Sequence, residues 1–478
     1  YMIEYLSIES SMKVIDPASG TGTFLIPILK KLYNGTSVNK VYGIDIDHQA
    51  LEILLAIIHL LDLKIDSENL IHGNTIVSNP TISEHALDVN EIKPEDGFDV
   101  VIGNPPYVTL KKDVEFDSTD IAYEGLLNGQ VNAATLMIIK GLQMLKTNGV
   151  LAFVLPKNIL HVGSYSKLRN YLLTKTTILH IVDIRSSFKH VRGEQIILFV
   201  QKKLPNQDHK IEMKVFHNPK ESANNPSVFI KQSHFVPYNK LSIFERHADY
   251  NLIDKLANTG LLLKEVVDDN IFRGISIPSK YLNDAKDKQE NIPYIRGKNI
   301  QKFSFKVDNF VSKSTLNHLT KEKLHKTMAK KIVVQNIFSS ESGIICAIDN
   351  EKVLTNETVT NILIEDEVLG NYILGLLQSK LANYYLIYGC YNCSKMTMHT
   401  DKEYIGAIPV VITDNKSLFN QVLSIVDGLS KKEKTQNKEL ELKQELDCCF
   451  YSIYNLSKAD IHLIETGLNQ FLSKKSRW

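Results

Sequence analysis

The sequence predicts a doubly wound α/β domain in its first half, followed by a region of mixed helices and short strands. Short apolar runs alternate with helical segments from about residue 12 to residue 203. Several of these runs contain no alternating polar residues, which is typical of parallel strands that helices cover on both faces. The alternation ends after Leu204. Because a domain usually contains roughly 100–200 residues, a chain of 478 residues is expected to form more than one.

The first domain is predicted to contain a mostly parallel sheet, because its strands alternate with helices. The predicted strands are Lys13–Ile15, Val41–Ile46, Leu70–His72, Phe98–Ile102, Val150–Leu155, Ile178–Asp183 and Gln195–Gln201. Helices are predicted between them, for example over Gln49–Leu61 and Ala133–Leu145. We place this domain at residues 1–234, which includes a polar connector over Pro205–Asn225.

The remainder of the chain is predicted to be an α+β domain with a helical end. Residues 235–415 contain short, irregular strand and turn signals, and residues 416–478 have a helical pattern. Residues 1–204 hold 19 basic and 22 acidic residues, whereas Lys280–Lys331 holds 13 basic and 5 acidic residues. The net charge of +1 for the whole chain hides this difference. The basic segment is either a solvated lysine face or a contact surface for phosphates.

The composition excludes several classes of protein. Hydrophobic residues make up 43% of the chain and charged residues 23%, so the chain is not wholly disordered. The five cysteines are too sparse and uneven for a secreted disulfide framework. The most apolar stretch, Ile53–Leu61, is far shorter than the ~20 residues of a membrane span, and the chain does not start like a signal peptide. We therefore expect a cytoplasmic protein without a membrane partner.

The first motif, Val-Ile-Asp-Pro-Ala-Ser-Gly-Thr-Gly-Thr-Phe, runs from Val14 to Phe24. A predicted strand ends at Asp16, and a turn with Gly20 and Gly22 leads into a helix. Glycine at such a turn lets the backbone approach a ligand at the carboxyl edge of a parallel sheet. The glycine spacing differs from that of dinucleotide-binding turns, and Asp16 would repel a pyrophosphate. A carboxylate at this position instead suits a cationic amino group.

The second motif, Val-Tyr-Gly-Ile-Asp-Ile-Asp, covers Val41–Asp47, and Asp45 lies at the end of the second predicted strand. A carboxylate there can accept hydrogen bonds from both hydroxyl groups of a ribose. This motif is weak alone, because strand ends often carry an aspartate. Together, Asp16 and Asp45 indicate a nucleoside cofactor with an amino-acid end, which is S-adenosylmethionine (AdoMet).

The third motif, Phe-Asp-Val-Val-Ile-Gly-Asn-Pro-Pro-Tyr at residues 98–107, is the most specific pattern in the sequence. A buried strand delivers Asn104 to the sheet edge, and the two prolines that follow have no backbone N–H donors. The Asn104 side-chain oxygen and the Pro105 carbonyl would accept both N–H groups of one planar amino group. These bonds draw the nitrogen toward tetrahedral geometry and free its lone pair to attack a methyl group. Tyr107 offers an aromatic face to the ring that carries the amino group.

In this order, the three motifs resemble those of the amino-group DNA methyltransferases of restriction–modification systems, and more narrowly the TaqI-like gamma class. The resemblance is close over residues 1–204 and looser beyond. It implies a Rossmann-like, AdoMet-dependent catalytic sheet in residues 1–234, an α+β target-recognition domain in residues 235–415, and a helical segment of that domain in residues 416–478. The implied reaction methylates the N6 amino group of an adenine in double-stranded DNA. The adenine must be flipped out, because the methyl group cannot reach it inside the stack.

The resemblance also implies roles for individual residues. Asp16 would bind the methionine amino group of AdoMet, and Asp45 would bind its ribose. Other residues implied at the cofactor are Ala18, Gly20, Gly22, Ile46, Asn74 and Pro106. Asn74 stands where the family usually has an aspartate, and its amide oxygen can accept the same hydrogen bond. Catalysis and target-base binding would involve Asn104, Pro105, Pro106 and Tyr107, with Phe188 packed against the flipped base.

Segments of the second half resemble target-recognition domains, namely Ile292–Ile300, Asn371–Tyr385 and Lys402–Val410. Basic residues there would neutralise phosphates, and polar residues would read base edges. The residues expected to bind DNA are Arg296, Lys298, Asn299 and Lys302.

The beginning of the chain departs from the family pattern. The family's most N-terminal motif precedes its first helix, whereas Tyr1–Ile8 already resembles that helix. We therefore expect that residues upstream of Tyr1 are missing. A cognate restriction endonuclease, separate or fused upstream, is the expected protein partner.

Some alternatives remain open from the sequence. Cytosine-N4 methylases, in which Ser or Asp commonly replaces Asn104, have a related motif. Enzymes that methylate a glutamine amide of translation release factors share the motif, but they are short and lack a C-terminal extension. A catalytically idle DNA-specificity protein is another alternative. A cytosine-C5 enzyme is not expected, because no cysteine follows a proline. No metal is expected either, since Cys390, Cys393 and His399 are too few ligands for a structural zinc site.

Overall fold

The computed structural model describes residues 1–35, 38–89, 96–185, 193–216, 225–283, 291–316, 321–338, 342–394, 398–431, 433 and 435–473. The chain divides into two compact units, Tyr1–Arg246 and His247–Trp478. The division lies at residue 246, whereas the sequence placed the first boundary after residue 234, and residues 416–478 belong to the second unit. Within the described residues, no helix has both the length and the apolar character needed to cross a membrane.

The first unit contains the seven strands that the sequence predicted, and further strands besides. Its strands are β1 (Val14–Asp16), β2 (Val41–Asp45), β3 (Leu70–His72), β4 (Phe98–Gly103), β5 (Thr109–Leu110), β6 (Val131–Asn132), β7 (Leu145–Pro156), β8 (Thr177–Arg185), β9 (Gln195–Gln201), β10 (Lys210–Val215) and β11 (Val228–Lys231). Its helices are α1 (Met2–Tyr5), α2 (Leu25–Leu32), α3 (His48–Leu60), α4 (Ala133–Met144) and α5 (Ser166–Lys175).

Nine strands among the described residues form one sheet in the order β11-β10-β8-β9-β7-β4-β1-β2-β3. The strands β3, β2, β1, β4 and β7 are parallel, whereas β9 is antiparallel to both of its neighbours. The chain adds β2 and β3 on one side of β1, and β4 and β7 on the other, so the strand order reverses between β1 and β4. A ligand crevice is expected at the carboxyl ends of the strands where the order reverses. The predicted doubly wound, mostly parallel sheet is confirmed.

The helices α2 and α3 cover the sheet beside β1 and β2. Asp47 is the N-cap of α3, and its side chain accepts hydrogen bonds from the backbone N–H groups of Gln49 and Ala50. The buried residues of α3, which are Leu51, Leu54 and Ile58, recur at helical spacing and join one apolar cluster with α2 and both strands. The helix that follows the second motif is thereby fixed in position against the sheet.

One strand of the sheet lies inside the segment that the sequence predicted as a connector. β10 pairs in parallel with β8 and antiparallel with β11. Its side chains alternate, because Ile211, Met213 and Val215 are buried while the polar residues between them are partly exposed. The prediction of a connector was wrong at these positions. The three polar residues made the segment look like a connector, although buried and polar side chains alternate along it as in a strand with one buried face.

A buried lysine joins two loops near the carboxyl edge of the sheet. Lys140 on α4 is fully buried, and its Nζ donates to Ser78 Oγ (2.9 Å) and to Asp120 Oδ2 (2.8 Å). Burial opposes ionisation of Asp120, but the hydrogen bonds from Lys140 and the backbone hold its pKa below the usual value. The Tyr123 hydroxyl adds a second link, because it donates to the backbone oxygen of Ile76 (2.6 Å). The loop that contains Ile76 and Ser78 is therefore linked to the loop that contains Asp120 and Tyr123, in part through Lys140 of α4.

The second unit is an α+β structure, as predicted. Its strands are β12 (Leu261–Leu262), β13 (Ile271–Arg273), β14 (Leu282–Asn283), β15 (Asn291–Ile295), β16 (Ile300–Gln301), β17 (Ser304–Phe305), β18 (Asn309–Ser312), β19 (Lys331–Gln335), β20 (Ile337–Phe338), β21 (Cys346–Asp349), β22 (Leu354–Thr355), β23 (Val359–Leu363), β24 (Met398–His399) and β25 (Pro409–Val410). Its helices are α6 (His247–Ala257), α7 (Leu263–Val266), α8 (Lys321–Thr327), α9 (Glu367–Gln378), α10 (Lys380–Tyr385), α11 (Lys402–Ile405), α12 (Lys416–Ser430), α13 (Gln436–Ile453) and α14 (Lys458–Ser473).

Two small sheets of the second unit have the strand orders β13-β23-β19-β21 and β14-β18-β15-β22. β13 and β19 are both antiparallel to β23, which lies between them. The predicted helical end is present as α12, α13 and α14.

Asp120→Ala is expected to lower the free energy of unfolding of the first unit by about 3–5 kcal/mol, because it leaves the buried Lys140 ammonium without its charged partner. Asp208→Ala removes an exposed ion pair with Lys231 in the same unit and should change stability little. Differential scanning calorimetry of the whole chain measures both variants. An equally small effect of both would contradict the role given to Lys140.

Candidate active site

A cavity of about 630 Å³ opens at the carboxyl edge of the sheet. Six of the residues predicted to bind the cofactor or the target base line it, namely Ala18, Asp45, Ile46, Asn74, Asn104 and Pro106. The other lining residues are Pro17, Gly73, Thr75, Ile76, Ile82, Ser83, Val108, Leu110, Val114, Glu115, Ala133 and Met137. The structure therefore brings residues of all three motifs to one cavity.

Asp16 lies at the end of β1 and is buried, with 1% of its surface exposed. Its Oδ1 accepts a hydrogen bond from the backbone N–H of Ala18 (3.1 Å). Burial raises the pKa of Asp16 to about 7, against the opposing effect of the Ala18 hydrogen bond, and the nearby Asp45 carboxylate raises it further. A buried carboxylate that is costly to ionise is well suited to a cationic partner.

The glycine turn connects the first motif to the second. Gly20 and Gly22 have φ angles of +51° and +91°, a region that favours glycine. The backbone N–H of Gly20 donates to Asp45 Oδ2 (2.7 Å), so the turn also positions that carboxylate. A Cβ atom on Gly22 would lie 2.3 Å from the side chain of Leu54 on α3, which shows that Gly22 serves close helix packing at the turn.

Asp45 is held by the backbone on both of its carboxylate oxygens. Oδ1 accepts from the Asp47 N–H (2.9 Å) while Oδ2 accepts from Gly20. Each oxygen still has a lone pair that can accept a hydroxyl group. Ile46 follows directly, lines the cavity and is 56% exposed, so it presents an apolar surface beside the carboxylate.

Asn74 lines the cavity beyond the end of β3. Its amide oxygen accepts a hydrogen bond from the Ile76 N–H (3.2 Å). Since a carbonyl oxygen has two lone pairs, one remains for a ligand. The next residue, Thr75, was missed in the sequence, and its hydroxyl donates to the Pro17 oxygen (2.7 Å) and ties this loop to the first motif.

Asn104 and Tyr107 face each other at the end of β4. The Tyr107 hydroxyl donates to Asn104 Oδ1 (2.6 Å) and also lies 3.0 Å from the backbone oxygen of Val154 on β7. Burial raises the pKa of Tyr107, so its hydroxyl stays protonated and remains a donor. Asn104 and Pro106 are exposed to the cavity, whereas Pro105 is buried.

Sequence reasoning missed the cavity wall that follows the third motif. Val108, Leu110 and Val114 line it, and the apolar continuation after Tyr107 was the available signal. These residues come from a segment whose strand β5 pairs with β6. Phe188, predicted to pack against the target base, lies outside the described residues.

The predicted DNA-binding residues lie in the second unit, in and after the turn that follows β15. Lys298 is exposed, and the Arg296 guanidinium donates to Ser279 Oγ (3.2 Å). Asn299 is 5% exposed, and its amide group accepts from the Arg296 N–H (2.9 Å) and donates to Asp308 (2.8 Å). Both of its polar ends therefore stabilise the turn, and base contact by Asn299 stays a prediction.

Lys302 directly follows β16 and lies close to α13. Desolvation lowers its pKa, and the neighbouring charge of Lys443 lowers it further, although part of the side chain is exposed. Contact of Lys302 with DNA stays a prediction.

The Cys390 thiol donates to the Tyr404 backbone oxygen. His399 Nδ1 is bonded to the Asn336 side chain (2.8 Å). Within the described residues, which omit 395–397, no group of three or more His, Cys, Asp or Glu side chains is arranged to hold a metal ion.

The sequence matches the Eco57I restriction-modification methylase family over residues 39–189 and the TaqI-like C-terminal specificity domain over residues 292–410. It is 25% identical over 410 residues to a type II restriction enzyme and methyltransferase of Methanocaldococcus jannaschii, covering 81% of this chain and 34% of that protein. It is 24% identical to the type II methyltransferase M.VspI of Vibrio sp. (strain 343), covering 45% of this chain and 51% of that protein.

The chain thus spans between a third and about half of the length of these two relatives. The type IIL restriction-modification enzyme MmeI, solved in complex with DNA, superimposes with a TM-score of 0.58 at 14% identity. That superposition covers 98% of this chain and 74% of the MmeI chain, and it shows a shared fold. The family resemblance predicted from the three motifs is confirmed.

Asp16→Asn is expected to stabilise the protein above neutral pH. When the pKa of a carboxyl group is higher in the folded than in the unfolded state, the protein loses stability as the pH rises from the unfolded-state pKa to the folded-state pKa. The variant should therefore raise the free energy of unfolding at pH 8 by up to about 4 kcal/mol, and the gain should shrink as the pH falls to 5. Denaturant unfolding over this pH range measures the effect.

The exposed Glu68→Gln in the same unit is the control and should show no such trend. A stability change for Asp16→Asn that is the same at every pH would mean that burial of the carboxylate is not its cause.

Proposed function

We propose that this chain, which combines an Eco57I-type restriction-modification methylase domain with a TaqI-like C-terminal specificity domain, is a site-specific DNA methyltransferase. It transfers a methyl group from AdoMet to the N6 amino group of a flipped-out adenine in double-stranded DNA, as part of a restriction–modification system. The observation that carries this proposal is the single cavity that joins Asp45 and Ile46 at one end of the sheet crevice to Asn104 at the other.

The residues around the cavity fit AdoMet. The buried Asp16 carboxylate suits the methionine ammonium group, and Asp45 has free lone pairs for the ribose hydroxyls. The exposed apolar surface of Ile46 suits the adenine ring of the cofactor. When bound, AdoMet supplies an electrophilic methyl group.

The third motif orients the acceptor nitrogen. Tyr107 fixes the Asn104 amide by donating to its oxygen, and the second lone pair of that oxygen accepts one N–H of the target amino group. The Pro105 carbonyl accepts the other N–H. With both N–H groups held, the nitrogen lone pair would point out of the ring plane towards the methyl group of a bound AdoMet. Transfer would form the N–CH3 bond, break the S–CH3 bond and release S-adenosylhomocysteine, and the methylated nitrogen would lose one proton to water. No covalent intermediate with the protein is required.

The second unit supplies the DNA contacts in this proposal. The basic segment Lys280–Lys331 neutralises phosphates, with Lys298 exposed among its residues. A relative named as both a restriction enzyme and a methyltransferase supports a linked endonuclease, on the same chain or on a separate one. With DNA as its substrate, the protein is expected to work in the cytosol, at the nucleoid.

The specificity-domain match favours DNA over a release-factor glutamine as the substrate. The motif permits cytosine N4 as well as adenine N6, and nucleoside analysis of the product separates the two. The cavity, which Asp45, Asn74 and Asn104 line together, favours an active enzyme over an idle specificity protein.

Asn104→Ala is expected to abolish methyl transfer to DNA without loss of AdoMet binding, because it removes the acceptor of the target N–H but none of the cofactor residues. Tritiated AdoMet with mixed-sequence DNA measures transfer, chromatography of the nucleosides identifies N6-methyladenine, and calorimetry measures cofactor affinity. Asn170→Ala on α5, where Asn170 is exposed, is the matched control and should retain activity. Label on protein but not on DNA would refute the proposal.

Tyr107→Phe is expected to lower kcat by about tenfold, the effect of one lost hydrogen bond that orients Asn104. The aromatic face remains, so the KM for DNA should change little. Tyr171→Phe on α5 is the control for loss of a tyrosine hydroxyl elsewhere in the unit. Steady-state kinetics decides between this result and an unchanged kcat, which would leave the Tyr107 hydroxyl without a role in catalysis.

A further inference from the structure

An arginine and an aspartate form a two-pronged ion pair on the second unit. Arg273 is the last residue of β13, and Asp401 precedes α11. Arg273 Nε donates to Asp401 Oδ1 (2.6 Å) and Nη2 donates to Oδ2 (2.8 Å). The side chains are 46% and 33% exposed, so the pair lies at the surface. Parallel bonds of this kind fix the plane of the guanidinium as well as its position.

A buried asparagine donates a hydrogen bond to the Asp401 carboxylate. Asn336 is 2% exposed, and its Nδ2 donates to Asp401 Oδ1 (2.9 Å) and to Thr360 Oγ1 (3.0 Å). Its amide oxygen is bonded to His399 Nδ1 (2.8 Å). Every hydrogen of this amide group is used inside the protein. An exposed ion pair that serves only as a surface contact does not require such support.

The backbone beside the arginine is equally constrained. Arg273 pairs with Thr360 of β23, and the N–H of Gly274 donates to the Val359 oxygen (3.0 Å). A Cβ atom on Gly274 would lie 2.2 Å from the Thr355 oxygen, so this position admits only glycine. The arginine is therefore fixed at both its backbone and its side chain.

One edge of the guanidinium remains available. Asp401 occupies the edge formed by Nε and Nη2, and within the described part of the chain no further acceptor bonds to Arg273. The edge formed by Nη1 and the outer hydrogen of Nη2 points away from the carboxylate. Two parallel donors in this arrangement match the O6 and N7 acceptors of guanine in the major groove. A flexible lysine would lack this planar edge.

We propose that Arg273 reads a guanine of the recognition sequence, and that Asp401 and Asn336 are its positioning residues. The proposal rests on the proposed function, because it assumes that the second unit contacts specific DNA. The proposed base contact differs from a phosphate contact in one respect that can be measured. A base contact affects the preference at one position, whereas a phosphate contact affects all sequences alike and reduces the salt dependence of binding.

The test compares the recognition sequences of the wild-type protein, Arg273→Lys and Asp401→Asn. The full-length proteins are expressed in cells without DNA methylation of their own, and single-molecule sequencing maps the methylated sites. Arg273→Lys should keep every position of the wild-type motif except one G·C pair, where the preference should fall about 10- to 100-fold. Asp401→Asn should relax the same position less strongly. Lys438→Gln on α13, which removes an exposed ion pair with Glu441, should leave the motif unchanged.

Equilibrium binding to duplexes with single base changes, at several salt concentrations, keeps the proposal testable where a variant no longer methylates DNA. Loss of discrimination at one G·C pair with an unchanged salt slope supports the proposal. An unchanged motif, or a uniform loss across all duplexes with a smaller salt slope, overturns it. A wild-type protein that binds specific duplexes without methylating them contradicts the proposed function and leaves the binding test of Arg273 intact.

Discussion

The pairing of β1 with β4 is the constraint on which the rest of the site depends. These parallel strands are in register at Ile15 and Val101, so both end at the same edge of the sheet. A Cβ atom on Gly103 would lie 2.6 Å from Asp16 Oδ1, so glycine is required for this close approach. Asn104 follows immediately. The separation between the proposed cofactor carboxylate and the proposed acceptor of the target amine is thus set by backbone pairing, and no flexible loop intervenes.

The same arrangement costs stability in the absence of a ligand. Asp16 is buried next to a second carboxylate, and a pKa of about 7 reflects that unfavourable environment. The hydrogen bond from Ala18 offsets only part of the cost. Buried charged groups in proteins are normally paired with an opposite charge, and a position without such a partner is a candidate functional site. The buried Lys140 obeys that rule, because its ammonium group is paired with Asp120 and links two loops.

Local patterns predicted the parts of the fold and site that depend on neighbouring residues. The seven strands and the three motifs could be found because apolar runs and turn residues act over a few positions. The strand β10 was missed because its polar face resembles a connector. The cavity wall at Val114 and the link from Lys140 to Ser78 depend on residues far apart in the chain, and no single-sequence pattern encodes such contacts. The hydrogen bonds that hold the Asn299 side chain in the turn were likewise not readable from the sequence.

Counting charges along the chain finds candidate phosphate-binding segments, but it cannot find a charge-compensated pair such as the one proposed to read a base. Lys280–Lys331 stands out because its excess charge is uncompensated. Arg273 and Asp401 cancel each other, lie 128 positions apart and leave no trace in the local charge. Yet specificity requires a donor whose direction is fixed, and a compensating carboxylate is what fixes it. The proposed specific contact of the second unit therefore lies outside its most basic segment, and the hydrogen bond from the buried Asn336 to the Asp401 carboxylate is the structural feature that points to it.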